Sequence, residues 1–232
     1  MKFCSILGVF GVSACSHRIP LPHYLENGDA HQELTARIHT KSELAILFVG
    51  NSYSFGVPRA FSKLAAAAGK PVRVGHSTFG GWTLKRHASS DSTLRKIREG
   101  RWDIVILQEQ SEIPSKPLRE YAAQMFTPLR QLVNEIRSHG AVPVLYQTWG
   151  RRDGDSQVPH DDFAAMNRRL RKGYHAAARD AGGLFVVPVG DAWEREVLAG
   201  HGSRLFMPDG SHPTQLGSDL TATVFYEAFF QK

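Results

Sequence analysis

Ala45-Ile46-Leu47-Phe48-Val49-Gly50-Asn51-Ser52 carries the strongest fold signal in the chain. Its first five residues are an unbroken apolar run. Such a run suits a strand buried on both faces, because a half-buried strand would alternate apolar and polar residues. A glycine, an amide and a hydroxyl follow directly, at the strand end where open α/β sheets bind their ligands. Downstream, Pro58 to Ala68 predicts a helix with proline in its first turn and Gly69 near its end. Pro71 to Val74 predicts a second strand, Leu84 to Arg98 one or two short helices, and Trp102 to Leu107 a third strand. Leu118, Ala122, Met125, Leu129, Leu132 and Ile136 recur at steps of three or four and predict a long amphipathic helix, stopped by Gly140. Ala141 to Tyr146 predicts a fourth strand. Phe163, Met166, Leu170, Tyr174 and Ala177 mark a helix ending at Gly182-Gly183, Leu184 to Val189 a fifth strand, and Leu216 to Phe230 a closing helix. Five apolar strands separated by helices imply an α/β protein with a mostly parallel sheet covered on both faces.

Composition agrees. The chain has 232 residues, 42% of them hydrophobic and 22% charged, which provides a packed core and excludes general disorder. The length suits one domain or two small ones. The net charge is +6 and the pI about 9.5, but the Lys and Arg are scattered, as on a basic soluble surface. No nucleic-acid motif accompanies the charge, so no nucleic-acid partner is expected. Gly50 to Gly56 lacks the Gly-Lys-Ser/Thr of a P-loop, and no Gly-x-Gly-x-x-Gly follows a strand, which disfavours nucleotide binding. His76 and His87 lie on different elements and the other histidines are dispersed without ligand spacing, so no metal and no cofactor are expected.

The N-terminus reads as an export signal. Met1-Lys2 is followed by the short apolar stretch Phe3 to Ala14. Val12-Ser13-Ala14-Cys15 resembles a bacterial lipobox, in which the cysteine becomes the lipidated first residue. On this reading residues 1–14 are a lipoprotein signal peptide, Cys15 carries the lipid, and residues 15–43 form a polar tether with a short helix near Asp29 to Ile38. The packed domain would span residues 44–232, held at a membrane through Cys15 in the bacterial cell envelope and facing the periplasm or the exterior.

Four segments carry chemistry. They are Gly50-Asn51-Ser52 after strand one, Gly80-Gly81-Trp82-Thr83 after strand two, Gln108-Glu109-Gln110-Ser111 after strand three, and Asp209-Gly210-Ser211-His212 before the last helix. Together and in this order they resemble the SGNH/GDSL hydrolase family. Gly50-Asn51-Ser52 resembles its Gly-Asp-Ser block, Gly81-Trp82-Thr83 its second block, and Asp209-x-x-His212 its last. The resemblance implies a three-layer α/β/α sandwich on a five-stranded parallel, flavodoxin-like sheet. It implies a catalytic triad of Ser52, Asp209 and His212, and an oxyanion hole from Ser52, Gly81 and a third-block side chain. Two departures stand out. Asn51 replaces the usual Asp, and Gln108-Glu109-Gln110 stands where Gly-x-Asn-Asp is usual, a form similar to carbohydrate-esterase relatives.

Elementary chemistry asks for the same parts. A serine hydroxyl needs a base, and the base needs a partner on its second ring nitrogen. Asp209, three residues before His212, can reach that nitrogen within one turn, and Pro213 is expected to start the final helix. Gln108 and Gln110 are both candidates for the side-chain oxyanion donor. Gln108 is favoured because it lies closer to the rigid strand. Other readings attach to single residues. Ser52 can cap the first helix, Asp209 and Ser211 can cap the last, and His212 can be a surface residue. Glu109 can pair with Arg86 or Lys85, and Trp82 and Trp149 can line a sugar-binding wall or fill the core. The expected activity is hydrolysis of an acyl ester, preferably an O-acetyl carbohydrate, through a covalent acyl-enzyme. Lipase, thioesterase and a catalytically silent binding lipoprotein are the alternatives.

Overall fold

The computed structural model describes residues 28–231, so the expected signal peptide, Cys15 and the start of the tether lie outside the described residues. The chain begins with α1 (Gly28–His39) and β1 (Leu44–Gly50), then α2 (Val57–Ala67), β2 (Val72–Thr78), α3 (Leu84–Ala88), α4 (Asp91–Glu99) and β3 (Ile104–Leu107). It continues with α5 (Leu118–Ser138), β4 (Val142–Tyr146), α6 (Phe163–Asp180), β5 (Phe185–Val187), α7 (Val189–Leu198) and α8 (Gln215–Phe230). All five strands are parallel, in the order β2-β1-β3-β4-β5. This is a three-layer α/β/α sandwich with the flavodoxin-like order, as expected.

The apolar runs are buried on both faces. Leu44, Ile46 and Phe48 of β1 pack with Leu34 of α1, Phe61 of α2, Trp193 of α7 and Phe225 of α8. Ala45, Leu47 and Val49 face the opposite layer, with Ile97 of α4, Leu129 and Leu132 of α5, and Leu170 of α6. Only β2, at the sheet edge, is largely half-exposed. Among the described residues no helix is long and apolar enough to cross a membrane.

Three expectations need correction. The segment read as a tether contains α1, which is docked on the domain. Ala30 and Leu34 are buried at helical spacing, and the following Lys41 pairs with the buried Asp103 (2.9 Å). The packed unit therefore begins by Gly28 and not at residue 44. The fifth strand stops at Val187, because Pro188 lacks an N–H for the ladder and opens α7, a helix the sequence reading missed. Pro213 does not start the last helix either. It bridges to Phe206, and Thr214 caps α8 by accepting from Gly217 N (3.2 Å).

Candidate active site

Because the sheet is parallel, the loops after β1, β2, β3 and β4 emerge at one edge. β1 ends at Gly50, and Asn51 caps a 3-10 turn over Ser52–Ser54. Asn51 Oδ1 accepts from Tyr53 N (3.1 Å), and its Nδ2 donates to Trp82 O (3.2 Å). Gln108 Oε1, just beyond β3, accepts from Asn51 N (2.8 Å) and Ser54 Oγ (3.0 Å). A Cβ on Gly50 would lie 2.4 Å from that Oε1, so the glycine before Asn51 is a packing requirement. From below, His87 Nε2 donates to Gly50 O (2.9 Å) while Nδ1 contacts Thr93 Oγ1 (3.0 Å). Burial pushes the His87 pKa down to about 4, so at neutral pH it is an uncharged donor.

The 3-10 turn presents Ser52 to the loop before α8. Ser52 Oγ lies 2.9 Å from His212 Nε2, and His212 Nδ1 lies 2.5 Å from Asp209 Oδ2. Asp209 Oδ1 accepts from Ser211 N (2.9 Å) and His212 N (3.0 Å). Burial opposes its ionisation, but the hydrogen bonds from Ser211 N and His212 outweigh it and hold the carboxyl at about 2. An ionised Asp209 only accepts, so Nδ1 carries the imidazole proton and Nε2 is left to accept from Ser52. The three residues thus form a hydroxyl, a base and an orienting acid in series.

The Asp209–His212 loop is held from outside the motif. Trp149 Nε1 donates to Ser211 O (3.1 Å), Arg152 N to Gly210 O (2.8 Å), and Met207 N to His212 O (2.8 Å). Tyr53 OH is 2.5 Å from Ser211 Oγ, and the Tyr53 ring meets the His212 imidazole edge-on at 5.6 Å. Below them Tyr53 stacks on Trp149 (4.7 Å) and Trp149 on Trp193 (3.8 Å). Trp149 is fully buried, so it belongs to this aromatic support and not to a sugar-binding wall. Tyr53 is absent from the candidates read from the sequence, and Trp149 figures there only as a sugar-binding wall or a core residue, not as a support of the His212 loop. Their signal was position alone, one residue past Ser52 and three past the fourth strand.

Candidate donors for a developing oxyanion sit on the loops after β1, β2 and β3, which emerge at the same edge of the parallel sheet. The Ser52 N–H opens the 3-10 turn, where no intrahelical partner exists. Gly81 sits at φ +70° in a turn closed by Trp82 N to Phe79 O (3.1 Å), and a Cβ there would meet open space. That turn is bound to the Ser52 loop through Phe79 N to Gly50 O (3.1 Å) and Asn51 Nδ2 to Trp82 O. Gln110 Oε1 accepts from Glu112 N (2.8 Å) and Ile113 N (3.3 Å), which fixes the side chain. Its Nε2 has only a 3.5 Å contact to Ser111 Oγ and can donate elsewhere.

The preference for Gln108 as donor is therefore corrected. Gln108 is completely buried, its oxygen holds the Ser52 loop, and its Nε2 donates to Glu109 O. Glu109 pairs with neither Arg86 nor Lys85. It is buried, Arg86 lies over the Trp82 ring (4.5 Å), and Glu109 Oε1 accepts from Leu84 N (3.0 Å) and Gln110 N (2.7 Å). Trp82 is half-exposed and stacks on the exposed Phe79 (4.1 Å). Among the described residues no group of three His, Cys, Asp or Glu can hold a metal.

No family model and no curated protein matches the chain. Solved structures do. A DUF4886 family protein from Bacteroides uniformis is 21% identical, with a TM-score of 0.71 over 82% of this chain and 84% of that one. The lipase/acylhydrolase from Enterococcus faecalis is 18% identical, with a TM-score of 0.56 over 78% of this chain and 93% of that one. A catalytic mutant of an acetylxylan esterase from Geobacillus stearothermophilus is 16% identical, with a TM-score of 0.61 over 82% of this chain and 95% of that one. At these identities the likeness is one of fold.

Proposed function

The chain has the SGNH/GDSL hydrolase fold, and from that premise we propose that it is a serine esterase. The observation that carries this reading is the unbroken series Ser52 Oγ, His212, Asp209, with links of 2.9 and 2.5 Å. Ser52 Oγ attacks the ester carbonyl carbon while His212 Nε2 takes its proton, and the carbonyl electron pair moves onto oxygen. The N–H groups of Ser52 and Gly81 and the Gln110 amide receive that oxyanion. Collapse expels the alcohol, which takes the proton from the imidazolium. Water then repeats both steps on the acyl-enzyme, releasing the acid and restoring Ser52. Every proton and electron pair in these steps is handled by the chain's own residues, the ester and water.

For the substrate we favour an O-acetylated carbohydrate. Phe79 stacked on Trp82 offers a flat apolar face beside Gly81 for a sugar ring, and one of the similar structures is an acetylxylan esterase. The exposed Phe55, Met207 and Leu216, each close in sequence to Ser52, Asp209 or His212, favour a second reading in which the acyl group is longer, as for a lipase or thioesterase. We also hold to lipid attachment at Cys15 and an envelope location, on the strength of Val12-Ser13-Ala14-Cys15.

A serine-reactive fluorophosphonate should label the protein once, and Ser52→Ala should abolish labelling and p-nitrophenyl acetate hydrolysis while the fold survives. The loss should span several orders of magnitude, since only binding and oxyanion stabilisation remain. A Ser52→Ala variant with half the wild-type rate would sink the assignment, and an unlabelled wild type would point to a silent binding protein. Comparing acetyl with octanoyl esters, and measuring acetate release from acetylated xylo-oligosaccharides, separates the two substrate readings.

A further inference from the structure

Glu109 is a buried carboxylate that the reaction above does not use. It is 0% exposed, has no ion pair among the described residues, and its Oε2 has no hydrogen-bond partner there. An unpaired acid in a protein core is costly to keep, so its bonds indicate what keeps it. One oxygen, Oε1, accepts from two backbone amides that belong to different loops. Leu84 N (3.0 Å) begins α3, three residues after Gly81, and Gln110 N (2.7 Å) is in the loop after β3. The link from Leu84 back to Gly81 is short and tied down. Thr83 caps α3, Trp82 N closes the Gly81 turn, and Trp82 O is held by Asn51. The Glu109 backbone is itself fixed from behind, where its carbonyl accepts from Gln108 Nε2.

We infer that Glu109 is a positioning residue that clamps the Gly81 turn and Gln110 together, setting the separation of two oxyanion-hole donors that come from different strands. The inference rests on the assignment of Gly81 and Gln110 to the oxyanion hole made above. The physical need is specific. β2 and β3 are not neighbours in the sheet, since β1 lies between them, so no backbone ladder fixes one loop against the other. A misplacement of about 1 Å in such a site costs on the order of 10² in rate, and one atom accepting from both loops removes that freedom. What the clamp requires is an acceptor of the right reach, not a charge.

The test uses two conservative variants in the full-length protein, each also made in a Gln110→Ala background. Glu109→Gln keeps the reach and an acceptor oxygen but not the charge. Glu109→Asp keeps the charge and retracts the oxygens by one methylene. With p-nitrophenyl acetate, and rates normalised to fluorophosphonate-titrated sites, Glu109→Gln should keep kcat within about three-fold. Glu109→Asp should lower kcat roughly 10- to 100-fold at unchanged KM, and should weaken a boronic acid that mimics the tetrahedral adduct by a similar factor. In the Gln110→Ala background the Asp substitution should cost about three-fold or less, because the Gly81 turn stays held by Gly50 and Asn51 and Gln110 is the donor that the lost clamp frees. A wild-type kcat in Glu109→Asp, a loss confined to KM, or the same fold-loss with and without Gln110 overturns the clamp. If Glu109→Asp does not fold, Glu109→Gln decides alone, and a loss above about ten-fold counts against the clamp. An impaired Gln110→Ala beside a normal Glu109→Asp removes the clamp and leaves the esterase. An active Ser52→Ala removes the esterase itself.

Discussion

Gln108 and Gln110, two residues apart, differ in burial and in hydrogen-bond partners. Gln108 points its oxygen at Asn51 N and Ser54 Oγ, so Gln108→Ala strands two buried donors. Each stranded donor costs about 1–3 kcal/mol, so this variant should show a clear drop in denaturation midpoint along with its loss of activity. Gln110 uses only its oxygen internally, and its Nε2 is nearly unbonded. Gln110→Ala should therefore lower kcat roughly 10²- to 10³-fold with little change in KM, and with a small effect on stability compared with Gln108→Ala. Equal stability losses in the two variants, read by urea unfolding, would contradict this division. Asp209 makes a related point. With its carboxyl held at about 2, it stays ionised well below neutrality, so acid loss of activity should not begin at its ordinary value of 3.8.

At the scale of elements, the site depends on pieces that carry no reactive group. The Tyr53–Trp149–Trp193 stack joins the 3-10 turn, the loop after β4 and α7 beneath His212. Helix α1 lies further off, yet it closes one face of the sheet with Leu34, which is 0% exposed. Leu34→Ala should cost about 2–5 kcal/mol, the usual range for a buried leucine. Thermal unfolding of this variant should show a lowered midpoint while kcat at room temperature stays near wild type. A variant as stable as the parent would mean that α1 is dispensable, as a tether would be.

For the whole molecule, two buried titratable groups under the site set opposing pH dependences. Glu109 is raised from 4.5 to about 7, mainly by burial. The folded state therefore holds its proton more tightly, and stability falls as pH rises from 4.5 to about 7. His87 is lowered from 6.5 to about 4, also mainly by burial, so stability falls as pH drops from 6.5 towards about 4. Each shift corresponds to about 3 kcal/mol, and the two largely offset one another between those limits. Glu109→Gln removes one arm. Its unfolding free energy relative to wild type should rise by about 3 kcal/mol between mildly acidic and mildly alkaline pH. A pH-independent difference in urea titrations would show that Glu109 does not titrate in this range. The envelope proposal also belongs to this scale. Cys15→Ser should move the protein from the membrane fraction to the soluble one, or leave an unprocessed precursor, and an intact Met1 on the wild-type protein by mass spectrometry would oppose it.

The parallel sheet was legible in the apolar runs, and the motif resemblance pointed to Ser52, Asp209 and His212. Apolar runs such as Ile46-Leu47-Phe48 are local signals of two-sided burial, and Asp209 and His212 are close enough along the chain to meet in one turn. Local sequence signals also misplaced β5's end, because Val189 reads as strand until Pro188 is given its effect on the ladder. The burial and contacts of Gln108, Gln110, Glu109, Trp149 and α1 were not legible in the sequence. Gln108 and Glu109 take partners far away in sequence, Asn51 and Leu84, while Gln110 bonds only its near neighbours and so keeps its Nε2 available. Whether an amide or a carboxylate faces the site or the core depends on which loops the parallel crossovers bring beside it, and that information appears only once the sheet is assembled.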